Sequence, residues 1–344
     1  MRYLRDPPDY FRHLHVPTSD EIVNKVLKRY PKLKPKSKRP KDLIELEVQR
    51  VSLVYQIILD KLKFLDQLPK PEELHPFYIE LASLSVPYQK YWAVVHGLKR
   101  LRKKLEEMWE DYRVLVKTAV SLEEAARIRR EAVGRALNAV KRSRGALDVI
   151  LKFKLAISSL PSIDFNEPRI VVAGMPSTGK SSFVKFVSSA EVEVASYPFT
   201  TKEVHVGHFF DGRYKFQVVD TPGILDRTWE EMNEIEKRAA IAIRHLPNSL
   251  LFLFDVSAEG PPIEKQARVL DNVLKVVGNE RVVLAANKID VADAVKLREV
   301  KELARTMGKN LFELSILNGI GVHEVLAVLK EKALEEFASL KEAS

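Results

Sequence analysis

The run Gly174-Met175-Pro176-Ser177-Thr178-Gly179-Lys180-Ser181-Ser182 has the residue types and spacing of a loop that holds phosphates. Its two glycines let backbone N–H groups turn inward, and the N-terminus of a following helix adds a positive dipole. In that pattern Lys180 reaches the β and γ phosphates and the Ser181 hydroxyl ligates Mg²⁺. An ordinary glycine-containing turn is the plain alternative. Against it stand the apolar strand Ile170 to Ala173 just before and the apolar helix SSFVKFV just after, the context a phosphate loop requires.

Two further motifs extend the same chemistry. Asp220-Thr221-Pro222-Gly223 ends the apolar run YKFQVVD, where an acid can hold Mg²⁺ through a water and the Gly223 N–H can bond a γ-phosphate. Asn287-Lys288-Ile289-Asp290 ends the run RVVLAA. The Asp290 carboxylate offers acceptors only, which match the ring and exocyclic N–H donors of guanine and leave adenine misfitted. Asn287 is expected to tie this loop to the phosphate loop, and the Lys288 stem to cover a base face. Ser315 and Ile316, after the run NLFEL, are expected to complete a base pocket through backbone N–H groups. One threonine of the pair Thr200 and Thr201 must bind Mg²⁺ and sense the γ-phosphate; Thr201 is favoured, with Thr200 the alternative. The expected ligands are thus GTP or GDP with Mg²⁺, held on the metal side by Ser181, Thr201 and Asp220, with Lys180, Thr201 and Gly223 serving hydrolysis.

In Ras-type enzymes a glutamine just after this second motif orients the attacking water. Here the position is Ile224, which cannot hydrogen-bond water, so slow intrinsic turnover and an activating partner are expected. Arg227 could supply charge, although an exposed arginine is the plainer reading. The loops 191–203 and 220–235 would be ordered by the γ-phosphate and released after hydrolysis. The histidines at 13, 15, 75, 96, 205, 208, 245 and 323 show no metal-ligand spacing. They read as structural, with His208 the one to watch, and no metal other than Mg²⁺ is expected.

These motifs need a scaffold that brings strand ends together. From Arg169 onward short β-branched runs alternate with helical stretches, which predicts a mostly parallel sheet with helices on both faces and a ligand at the carboxyl ends of its strands. The front half differs. Apolar residues at helical spacing predict long helices over 42–68, 88–120 and from Ser121 to about 159, with a basic loop, KLKPKSKRPK, at 32–41. The fold class is therefore α plus α/β, an N-terminal helical bundle over 1–160, a linker at 161–168 and a Ras-like P-loop GTPase domain over 169–344.

Charge follows the same division. Residues 1–165 hold 33 Lys+Arg against 21 Asp+Glu, and residues 166–344 hold 23 against 26. Seven basic residues between Arg127 and Arg144 suit either a solvated face or a rod laid along phosphates. The 344 residues contain no cysteine, which excludes disulfides and sulfur-ligated metals. The first residues lack the apolar core of a signal peptide, and no stretch of 18 apolar residues occurs, so a cytoplasmic protein without membrane contact is expected.

Longer runs carry a resemblance. YPFTT at 197–201 with DTPGILD at 220–226 resembles the Obg-related GTPases. HPFYIEL at 75–81, LPSID at 160–164, TTKEVHVGHF at 200–209 and NEIEKRA at 233–239 resemble, more narrowly, the nucleolar GTP-binding protein family of ribosome-assembly GTPases. The likeness covers nearly the whole chain. It implies a partner in large-subunit rRNA or a pre-ribosomal particle, reached through the helical domain, and it supports Thr201 as the Mg²⁺ threonine. Many Obg relatives carry asparagine where this chain has Ser177, a position associated with K⁺, so K⁺ dependence stays open. The long C-terminal extension of eukaryotic members is not matched, which implies a compact, archaeal-type member from a cell without a nucleolus. The alternative function is a nucleotide-sensing GTPase whose helical domain binds a protein.

Overall fold

The computed structural model describes residues 3–189, 192–196, 203–221, 231, 233, 240 and 244–342. Thr200, Thr201, Gly223, Ile224 and Arg227 lie outside the described residues. Two compact units emerge: Phe11–Pro69 with Ser85–Leu155 form one, and Met1–Tyr10, Lys70–Leu84 and Ala156–Ser344 form the other.

Helices come early. Pro7–His13 (α1) and Ser19–Arg29 (α2) precede the basic run, and Thr18 caps α2 by accepting the Glu21 N–H at 3.1 Å. The basic run from residue 33 stays irregular until Pro40 starts Pro40–Leu62 (α3). Pro76–Ser83 (α4), Tyr88–Lys117 (α5), Leu122–Arg142 (α6) and Arg144–Ser158 (α7) follow. The single helix expected from Ser121 to about 159 is two helices. Its start is as expected, with the Ser121 hydroxyl accepting the Glu124 N–H and Glu124 accepting the Val120 N–H. At Ser143, however, the backbone departs from helical dihedrals (φ −81°, ψ 0°), and the hydroxyl donates to the Val140 carbonyl at 2.7 Å.

Tyr55 anchors the helical unit by donating to the Ala132 carbonyl at 3.1 Å. Glu47, 5% exposed, takes Arg50 at 2.7 Å and Arg129 at 2.6 Å. Arg129 is therefore turned inward, and the positive surface of α6 rests on the other arginines and lysines. No helix among the described residues is long and apolar enough to cross a membrane.

In the second unit Arg169–Ala173 (β1), Glu193–Ser196 (β2), Glu203–Asp211 (β3), Tyr214–Asp220 (β4), Ser249–Asp255 (β5), Val282–Asn287 (β6) and Leu311–Leu314 (β7) form one seven-stranded sheet. The order is β2-β3-β4-β1-β5-β6-β7. β1 pairs in parallel with β4 and β5, and β6 continues the parallel run to β7. β3 is antiparallel to β2 and β4. β2 falls inside a stretch expected as loop. Every residue of β1, β5 and β6 is buried, as strands covered on both faces must be. Lys180–Val187 (α8), Ile263–Val277 (α9), Ala294–Thr306 (α10) and Val322–Glu342 (α11) complete the unit. Phe183 and Val184 of α8 and Val325 and Leu329 of α11 share a core with Val172, Leu251 and Ala285 of the sheet.

The segment expected as a linker, 161–168, is packed within this unit because Ile163 and Phe165 bury apolar surface. Tyr78 Oη donates toward the carbonyls of Pro161 and Ile163, each at 3.1 Å, and accepts the Ile163 N–H at 2.9 Å. His75 stacks on Phe165 with ring centroids 3.5 Å apart. Burial, reinforced by Arg169 and His245, pushes the His75 imidazole down to about 2, so it stays neutral and its Nδ1 accepts the Phe77 N–H.

Candidate nucleotide-binding site

The phosphate loop leaves β1 at a sharp turn that only small backbones allow. Gly174 has φ 145°, and a Cβ there would lie 2.5 Å from the Leu253 carbonyl oxygen. Gly179 has φ 102°, and a Cβ there would meet Asn287 Nδ2 at 2.4 Å. Both glycines are thus required by close approach as well as by dihedral. Ser177, between them, takes φ 65° with a side chain present, a strained conformation of the kind that clusters at functional loops. Met175 is buried, Pro176 is exposed, and the Thr178 hydroxyl closes the turn by donating to the Met175 carbonyl at 2.9 Å.

Lys180 begins α8 and is 5% exposed. Its Nζ donates to the carbonyls of Gly174 at 3.0 Å and Met175 at 2.9 Å, so the charge is held across the loop mouth. Ser181 donates its hydroxyl hydrogen to Asp220 Oδ2. Asp220 ends β4 and is fully buried, while β1 lies beside it in register, Val172 against Asp220. His205 on β3 brings Nδ1 to 3.7 Å from the same carboxylate. Ser182 is exposed on α8 toward the base side.

Asn287 joins the two loops. From the end of β6 its Nδ2 donates to the Thr178 carbonyl at 2.8 Å, and its Oδ1 accepts the Ile316 N–H at 3.2 Å. Beside it opens a cavity of about 680 Å³, lined by Gly179 and Ser182 on one side and by Lys288, Asp290, Ser315 and Ile316 on the other. That volume suits a small-molecule site. Asp290 stands exposed at its wall.

The third loop differs from expectation. The Ser315 N–H donates to the Ile320 carbonyl at 3.1 Å and the Ile316 N–H goes to Asn287, so neither donor is open to a base. A short bridge between Ser315 and Ile320 closes the loop and turns those groups inward. Leu317, 89% exposed and also lining the cavity, carries the next N–H.

One residue outside every motif belongs to this site. Asp255, at the end of β5 and 2% exposed, accepts from Lys288 Nζ at 2.5 Å and from the Ser257 N–H and hydroxyl at 2.9 and 2.6 Å. Burial opposes its charge, but the hydrogen bonds from Lys288 and Ser257 win and hold the carboxyl below the usual range. Lys288, at φ 67°, is thereby pinned with its stem along the cavity. The parallel between SLLFLFD and YKFQVVD, both apolar strands ending in Asp, is the sequence signal that could have found it.

Comparison with known proteins gives the family. A model described as the NOG1 N-terminal helical domain matches residues 11–164, and one described as a 50S ribosome-binding GTPase matches residues 169–288. Nucleolar GTP-binding protein 1 of Eremothecium gossypii is 31% identical over 339 residues, covering 93% of this chain and 51% of that protein. The protein of the same name from Saccharomyces cerevisiae is 35% identical over 224 residues, covering 65% of this chain and 35% of that protein. A crystal structure from Plasmodium falciparum described as a nucleolar GTP-binding protein 1 is 32% identical, with a TM-score of 0.44, and covers 54% of this chain and 93% of that one. The chain spans about a third to a half of the length of the two full relatives. Their names point to the nucleolus rather than the cytoplasm, which overturns the expectation of a cytoplasmic protein. Two domain matches in sequence order, with relatives of a single name, establish that the chain belongs to the nucleolar GTP-binding protein family and carries a helical N-terminal domain followed by a GTPase domain.

Proposed function

We propose that this chain binds and slowly hydrolyses GTP as a switch in assembly of the large ribosomal subunit, with its helical unit docking on rRNA or a pre-ribosomal particle. The observation that carries the nucleotide part is Asn287, which couples the phosphate loop to the wall that presents Asp290. A carboxylate there reads guanine, because an unpaired acceptor beside adenine is costly. The pinned Lys288 stem offers an apolar face to the base.

Ser181 and Asp220 fit Mg²⁺, since a hydroxyl and a buried carboxylate already in contact supply the hard oxygen ligands that this ion prefers. Thr201 would be the third residue. When bound, Mg²⁺ neutralises charge that develops on the phosphate oxygens. Lys180 trades its carbonyl partners for phosphate oxygens and Asp220 keeps Ser181 oriented, while the Gly223 N–H would be the donor to the γ-phosphate. The ribosomal part is supported by the description of the matching GTPase model and by the basic front half.

Co-sedimentation of the full chain with large-subunit precursor particles tests the proposal. The expected outcome is more bound protein with a non-hydrolysable GTP analogue than with GDP, and a fall of about 10³-fold or more in affinity between about 50 and 200 mM salt. Equal recovery in both nucleotide states, or binding indifferent to salt, would count against it.

A further inference from the structure

The helical unit holds a cavity of about 700 Å³ between α5 and the α6–α7 stretch. Its floor on α5 is a ridge of Val94, Leu101 and Met108, each half-buried and spaced by seven residues. A seven-residue apolar repeat on one helix is the pattern that keeps a seam facing another helix. The ridge extends about 20 Å along the axis, room for about four turns of a partner helix. Gly97 and, across the groove, Ala139 and Ala146 keep the seat open; a Cβ on Gly97 would meet nothing within 4 Å.

The rim supplies the partner's charge. Lys104, Arg135 and Arg142 line the groove and no acidic residue does. Arg135 pairs with Glu131 at 2.9 Å, whereas Lys104 and Arg142 have no carboxylate partner among the described residues. We propose that this groove seats an amphipathic α-helix of a protein partner, apolar at two positions of each heptad and acidic beside them. Such a helix buries its apolar stripe on the ridge and sets its carboxylates against Lys104 and Arg142. An RNA strand would use the rim but leave the apolar floor without a partner, which disfavours it.

The full chain, with its five methionines methyl-labelled for NMR, provides the test, because Met108 reports from the groove floor. The probes are a synthetic three-heptad peptide with Leu at a and d and Glu at e and g, the same peptide with Lys at e and g, and a polyuridylate oligonucleotide. The acidic peptide should shift the Met108 signal saturably and bind about tenfold or more tighter than the basic one. Gly97→Trp should weaken the acidic peptide about tenfold by filling the seat, with circular dichroism checking that the helices persist. The exposed double variant Lys104→Glu/Arg142→Glu should reverse the preference between peptides. A Met108 signal unmoved by the acidic peptide, equal affinity for both peptides, or binding unchanged by Gly97→Trp overturns the proposal. Polyuridylate moving Met108 while the acidic peptide does not would assign the groove to RNA and overturn it equally.

Discussion

The Asp255 carboxylate, buried at the end of β5, is the fixed point from which Lys288 extends along the cavity. Asp255→Asn removes the charge while keeping the shape. Because Lys288 remains about one-third exposed and can be solvated, the expected loss of stability is about 1–2 kcal/mol rather than the full cost of breaking a buried pair. The folded carboxyl is held below its unfolded value, so the contribution is complete above about pH 4 and disappears as pH falls through the folded value. Calorimetric melting of parent and variant should therefore differ at pH 7 and converge in strong acid. Ile224 makes a second expectation at this scale: single-turnover hydrolysis by the isolated chain should not exceed about 10⁻³ s⁻¹, and a rate near about 1 s⁻¹ without a partner would refute the inert role given to that side chain. The tie from Asn287 to the phosphate loop was legible because that motif's chemistry fixes both residue type and spacing, and Asn287 bonds the Thr178 carbonyl. Asp255 was not legible. Its partner Lys288 lies 33 residues away, and a strand-ending aspartate has no local signature of that pairing.

At the scale of elements, α4 and the strap at 161–168 act together. Tyr78 Oη serves three backbone groups of the strap, so Tyr78→Phe leaves the buried Ile163 N–H without its acceptor. The expected cost is about 1–2 kcal/mol, read as a fall of about 2–8 °C in the calorimetric melting temperature; an unchanged transition would mean the strap is held by Phe165 and its stacking alone. The sequence motifs HPFYIEL and LPSID are the two sides of this contact. Their likeness to a family was readable, but their meeting was not, because residues 78 and 163 are brought together by packing rather than by any periodicity. The same limit explains β2 and the break at Ser143. Four residues of β2 are too few for an alternating pattern to register, and at Ser143 the helix is interrupted by a local change of dihedral, with the hydroxyl turned back to the Val140 carbonyl, that leaves the apolar spacing unchanged. The long elements were legible where apolar spacing ran for several turns, as in α3 and α5.

The whole molecule divides into two units with opposite charge character, since Phe11–Pro69 with Ser85–Leu155 hold 30 Lys+Arg against 15 Asp+Glu and the other unit holds 26 against 32. That division gives a nucleotide-binding unit and a unit suited to polyanions or acidic partners, and the family assignment joins them in one chain. Everything proposed for the molecule depends on which nucleotide pool controls it. In the proposed function Asp290 at the cavity wall selects guanine, and it can be changed without touching the phosphate loop. The direct measurement is displacement of a fluorescent GDP from the full chain by GTP, ATP and xanthosine triphosphate, before and after Asp290→Asn. GTP should displace the probe and ATP should not, and the variant should lose about 100-fold or more in GTP affinity while gaining xanthosine triphosphate. Displacement by ATP as readily as by GTP, or an Asp290→Asn chain that holds GTP as tightly as its parent, would contradict the account.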